Sequence, residues 1–180
     1  MSTRKFETLT PRGKAVRVAQ DVLSQLAAKK LSAMPGVYVD MAVPTGVVDH
    51  NTPFCSILMS SSRCEVCALG GLFMGLAINN KGITLGFTPD VYTKSICQPS
   101  GFRNDLVAIF GCHQLDMIES AFERDDMTYD WNDEVEQLEN IKDAIAFGNN
   151  FVDPDARLAG IMQNIIDNRG EFRPCLRDLR

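Results

Sequence analysis

The sequence predicts an α+β fold, mainly helical, with about five helices around a central apolar helix and a small antiparallel β element. Three observations carry that prediction. Segments near both ends of the chain repeat apolar residues at helical spacing between recognisable start and stop signals. A charge-free stretch at residues 66–78 is apolar on every face, the pattern of a helix surrounded by others. Between the first helix and that stretch lie two β-prone runs, residues 37–43 and 54–59.

Thr10-Pro11 is a helix start, a hydroxyl cap followed by proline where its missing N–H costs nothing. Ala15, Ala19, Val22, Leu23 and Leu26 continue it at helical spacing to about Lys30, and Pro35-Gly36 ends the segment. Pro44-Thr45-Gly46 turns the chain between the two strand candidates, which suggests a small hairpin, and residues 83–87 suggest a third short strand. The central helix is expected over about 63–78, opening at Cys64. Its glycines, Gly70, Gly71 and Gly75, would cost about 2–3 kcal/mol relative to alanines in an exposed helix. Close approach of a neighbouring backbone is the expected reason for them, and Gly71→Leu is expected to unfold the protein.

After a loop at 89–101, residues 102–122 read as helical, with Leu106, Ile109, Phe110, Leu115, Ile118 and Phe122 on one stripe and a kink at Gly111. A further helix follows Asn132-Asp133 and carries Val135, Leu138, Ile141, Ala144 and Ile145. The last is the best marked. Asp153 caps it, Pro154 opens it, Leu158, Ile161, Met162, Ile165 and Ile166 form its stripe, and Gly170 stands just past its end.

The 180 residues suit one domain over 1–180, with residues 1–9 and 174–180 as loosely packed ends. Hydrophobic and charged fractions of 45% and 23% are ordinary globular values. The basic residues at the start have no apolar run behind them, so no signal peptide is expected. The apolar stretch at 66–78 is shorter than the ~20 residues a membrane span needs. Cytoplasmic location without membrane attachment is the expectation, with six reduced cysteines at 55, 64, 67, 97, 112 and 175.

Cys64 and Cys67 form a CxxC, which admits two chemical readings. A thiol at a helix start can become a stabilised thiolate, but the alternating strand-and-helix setting of redox proteins is absent. Two thiolates also make half of a structural zinc site, to be completed by Cys112, His113, Cys97 or Cys55. No second CxxC completes it, so the expectation is no cofactor, with zinc at Cys64 and Cys67 as the alternative and packed apolar thiols as the plainer reading. His50 and His113 are the only histidines, and neither sits in a recognisable nucleophile motif.

Charge is segregated along the chain. Residues 116–139 hold ten acids against Arg124, a net charge of −9, while the whole chain carries −5 and the remainder therefore +4. Asp125, Asp126 and Asp130 miss the calcium-loop spacing, because Trp131 stands where glycine is required. The acidic run instead suggests a surface for a basic protein partner, represented by Asp125, Asp126, Asp130 and Glu134. The basic surplus gathers at Arg4, Lys5, Arg12, Lys14 and Arg17 and at Arg169, Arg173, Arg177 and Arg180. It is too sparse, and too poor in interleaved aromatics, to predict nucleic-acid binding.

Two motifs resemble a family of small uncharacterised bacterial and phage proteins. Residues 66–72, Val-Cys-Ala-Leu-Gly-Gly-Leu, resemble its Cys-Ala-Leu-Gly core helix, and Trp131-Asn132-Asp133 resembles a later Trp-Asn-Asp element. The resemblance spans the order of elements from 13 to 146 and implies a shared fold without an activity. With no catalytic constellation in view, the expected function is a small non-catalytic interaction protein, a phage or mobile-element accessory acting on a host partner. The alternatives are a nucleotide-binding or sequestering protein, whose basic ends meet phosphates, and a zinc-stabilised structural module. Homo-oligomerisation is compatible with each.

Overall fold

The computed structural model describes residues 5–41, 53, 55–56, 61, 64–80, 102–124 and 135–174. Among these, a 3-10 turn at Phe6–Thr8 precedes six α-helices: α1 (Pro11–Ala27), α2 (Ala68–Asn79), α3 (Phe102–Phe110), α4 (Cys112–Glu123), α5 (Val135–Gly148) and α6 (Pro154–Asp167). Three short strands, β1 (Ser32–Ala33), β2 (Val39–Met41) and β3 (Cys64–Val66), form one small sheet. The fold is α+β and mainly helical.

The outer helices begin where the residues say they should. The Thr10 hydroxyl accepts the Gly13 N–H at 3.2 Å, and Asp153 accepts the Ala156 N–H at 2.8 Å. In both cases one donor that the first turn leaves unpaired is satisfied. Gly170 follows α6 with φ +99°, a left-handed conformation that favours glycine. The two helices run antiparallel: Gly170 lies against the backbone of Arg12, while the Ala33 N–H beyond α1 donates to Asp155 at the start of α6.

The expected opening of the central helix at Cys64 is corrected. Cys64–Val66 is a strand with alternating burial, Cys67 is the extended N-cap, and α2 begins only at Ala68. A three-residue alternation is too short to stand out beside the apolar run that follows it. The pairing also differs from a simple hairpin. β3 lies in the middle, antiparallel to β2 and parallel to β1. The strand candidate at 83–87 and residues 54 and 57–59 of the other lie outside the described residues, while Cys55 and Ser56 are helical rather than extended.

From Ala68 to Ala77 every residue of α2 is buried, which makes it the spine of the molecule. Buried side chains from α1, α3, α4, α5 and α6 join it in one apolar cluster, with Phe172 and Leu31 completing it. The glycines explain how neighbours come so close. A Cβ at Gly70 would overlap the Tyr38 carbonyl oxygen, and one at Gly75 would stand 2.8 Å from the Val18 carbonyl oxygen. Gly71 faces only side chains, with none nearer than 3.6 Å to a Cβ placed there. Gly70 and Gly75 therefore have no room for a Cβ, whereas Gly71 has room for a methyl group among its side-chain neighbours.

Gly111, at φ +78°, breaks the expected long helix into α3 and α4. α4 and α5 then pack along each other in the same direction. Asn140 lies beside His113, and Gly148 lies against the Ala121 backbone. Both pairs have the same separation in sequence, the signature of a parallel arrangement. The chain ends joined by residues 125–134 thus lie at opposite ends of this helix pair.

Candidate functional site

Asp125, Asp126, Asp130 and Glu134, the expected acidic partner surface, lie outside the described residues, as do His50, Cys97 and Cys175. The flanking helices are described. Asp116, Glu119 and Glu123 stand half-buried on α4, and Glu139 and Asp143 stand exposed on α5. Because α4 and α5 pack together, the acids of both helices belong to one two-helix unit.

Cys64 and Cys67 are both buried and free of disulfide bonding. Burial pushes the Cys64 thiol up to about 12, with Asp40 and Glu65 adding to the effect. Burial does the same to Cys67, again to about 12, opposed by the Gly70 and Leu69 backbone N–H groups and reinforced by Glu123 and Glu119. Redox chemistry and zinc ligation both need a thiolate, and these surroundings favour the neutral form. Cys67 serves the helix that follows it, since its sulfur accepts the Gly70 N–H at 3.4 Å and caps α2. Among the described residues, no three or more His, Cys, Asp or Glu side chains gather as a metal site. Cys112 is an exposed free thiol at the start of α4, and its neighbour His113 turns to Asn140, at 3.4 Å.

The residues that sequence reasoning missed surround the turn at 34–38. On α4, Glu123 accepts the Gly36 N–H at 2.9 Å, and Glu119, one helical turn earlier, accepts the Tyr38 hydroxyl at 2.9 Å. On the other side, the Cys67 N–H donates to the Val37 carbonyl, and Gly70 lies against the Tyr38 carbonyl. The turn is clamped between α2 and α4. Burial raises the Glu123 pKa above the usual carboxylate range; Glu119 adds to this, while the Gly36 N–H and Arg157 oppose it.

Arg157 is 1% exposed, an unusual place for a guanidinium. It donates to the Phe122 carbonyl at 2.5 Å and to the Phe151 carbonyl at 3.3 Å, and it lies over the Phe122 ring. The side chain thereby caps the C-terminal end of α4, where a positive charge complements the helix dipole. Its Nε has no hydrogen-bond partner. Burial lowers its pKa, helped by Arg124 and opposed by Glu123 and Asp153. One sequence signal pointed here: a basic residue early in α6, where the dipole favours acids.

The two basic ends of the chain also meet. Glu171 receives both Arg12 and Arg173, the latter through Nε at 3.0 Å and Nη2 at 2.5 Å, while both arginines remain about two-thirds exposed. Around them, the Phe172 N–H donates to Gln114, and Asn164 exchanges two hydrogen bonds with the Arg173 backbone. Phe172 and Pro174 are buried, so the last described residues are packed against the helices. No helix among the described residues is long and apolar enough to cross a membrane. No family model, curated protein or solved structure matches the chain.

Proposed function

We propose that the protein is a small non-catalytic interaction protein whose acidic stretch engages a basic surface on a protein partner. The observation that carries this reading is the parallel packing of α4 on α5, which unites the acids flanking residues 125–134, the sequence's strongest charge feature, in one helix pair. Two of the α4 acids serve instead as joints of the fold, Glu119 with Tyr38 and Glu123 with Gly36, as do Asp155 with Ala33 and Glu171 with two arginines elsewhere. An accessory role in a phage or mobile element, acting on a host protein, follows from the motif resemblance alone.

Affinity capture from host lysate tests the reading, with the wild type beside a variant carrying Asp125→Asn, Asp126→Asn, Asp130→Asn and Glu134→Gln. A saturable partner is expected for the wild type, weakened steeply by salt and lost in the variant. Equal capture by both proteins, or capture insensitive to salt, would defeat it.

A second reading, binding of a nucleotide or another small phosphate compound, has one observation in its favour. Arg12 and Arg173, distant in sequence, converge on Glu171 with their guanidinium groups still accessible. Thermal-shift titration with nucleoside phosphates separates the two, since a real ligand stabilises in proportion to the logarithm of its concentration over Kd. Loss of that shift in Arg12→Ala/Arg173→Ala would establish the site, and a flat titration would remove it.

A further inference from the structure

We infer that Glu119 and Glu123 form an acid-tightened latch, clamping the turn at 34–38 onto α4 more firmly as the pH falls from neutral. The two carboxylates stand one helical turn apart on α4, and each takes a different donor from the same short turn: the Gly36 N–H and the Tyr38 hydroxyl, both at 2.9 Å. Like charges at that spacing repel. Glu123 is moreover the last residue of its helix, where the dipole disfavours a negative charge. A proton on Oε1 of Glu123 removes the repulsion and leaves Oε2 in place to accept the Gly36 N–H.

Groups on each neighbouring element bear on this carboxyl. Tyr38 on the turn and Cys67 at the start of α2 bring no positive charge, and the Cys67 thiol is held neutral by its own burial. Glu119 on α4 repels, whereas the Gly36 N–H on the turn and Arg157 on α6 favour the charged form. Arg124, the next residue, lies outside in solvent. Burial is the largest influence on Glu123, and it favours the protonated form.

A carboxyl whose folded pKa is raised binds a proton more tightly in the native state than in the unfolded chain. Its contribution to stability therefore rises as the pH falls through the folded value toward the ordinary one. Other carboxyl groups of the molecule titrate in acid as well, so the measurement must isolate Glu123, which a difference between two proteins does.

Thermal unfolding of the full chain and of Glu123→Gln at pH 7.5 and pH 5.0 provides the test. The amide keeps an oxygen for Gly36 and carries no charge. The variant is expected to melt higher than the wild type at pH 7.5, by about 3 °C for a chain of this size. At pH 5.0 the gap should narrow, because the wild type has begun to take up its proton. A gap of the same size at both pH values, or a variant that melts lower at both, overturns the latch. Should the variant fail to fold, carboxyl-carbon NMR of the wild type decides. A Glu123 titration midpoint above that of an exposed glutamate supports the latch, and one at or below it overturns it.

Discussion

α2 and α6 are both helices with a buried face, yet they are specified in opposite ways. α6 carries its instructions locally, in the Asp153 cap, Pro154, a clean apolar stripe and Gly170 beyond its end. α2 has almost none of these. It has no polar face, its cap is a sulfur with a 3.4 Å hydrogen bond, and its glycines weaken it as an isolated helix. What holds α2 is its surroundings: the Tyr38 carbonyl on Gly70, the Val18 carbonyl near Gly75, and side chains from α1 and α6 on Gly71. A locally specified helix should tolerate changes in its packing partners better than one defined entirely by contact.

Substitutions at neighbouring glycines give the largest expected contrast. Gly70→Ala drives a methyl group into the Tyr38 backbone, which belongs to the clamped turn and cannot give way as a flexible side chain would. A loss of about 3 kcal/mol or more is expected in denaturant unfolding. Gly71→Ala meets only side chains in ordinary van der Waals contact and is expected to be neutral or to stabilise by up to about 1 kcal/mol through helix propensity. If the two substitutions cost the same, the contact account of α2 fails.

The next largest effect lies where α6 departs from its own local rules. Arg157→Met retains an apolar stem but removes the donors to the Phe122 and Phe151 carbonyls. Leaving buried acceptors unpaired costs about 2 kcal/mol, to be read as a lower denaturant midpoint with an unchanged slope. An unchanged midpoint would mean that relief from burying the charge offsets the lost bonds.

Smaller effects attend the caps. Asp153→Ala removes the acceptor for the Ala156 N–H, and about 1 kcal/mol is expected from thermal or chemical unfolding. Cys67→Ser replaces a weak cap with a preferred one, so a change within about 0.5 kcal/mol is expected. The thiols themselves offer a check without mutation. With Cys64 and Cys67 both pushed up to about 12 by burial, neither should react with iodoacetamide at about pH 8 in the folded protein. Exposed Cys112 should react readily, and peptide mapping by mass spectrometry distinguishes them. Rapid labelling of Cys67 would show that the start of α2 opens.

The candidate site was the least legible part of the sequence. The acidic run is visible as charge, but it says nothing of which helices bring its flanks together. Glu119 and Glu123 read as two more acids of that run, because their partners, Tyr38 and Gly36, lie more than eighty residues away in sequence. The role of Arg157 is not visible in the sequence, since its acceptors are carbonyl groups on other segments, and carbonyls leave no trace in composition.

The sequence by itself determined the starts of α1 and α6 and most of their inward faces, the burial of residues 68–77, and a mainly helical α+β fold. Caps, prolines and the 3.6-residue period act through neighbours in the chain, so no tertiary information is needed to read them. Tertiary structure alone decided that Cys64–Val66 is a strand, that it lies between β1 and β2, and that Gly70 and Gly75 sit against other backbones while Gly71 does not. Three residues gain little as an isolated strand and become one only when partners on both sides supply the hydrogen bonds. A glycine, likewise, is required only where another backbone arrives.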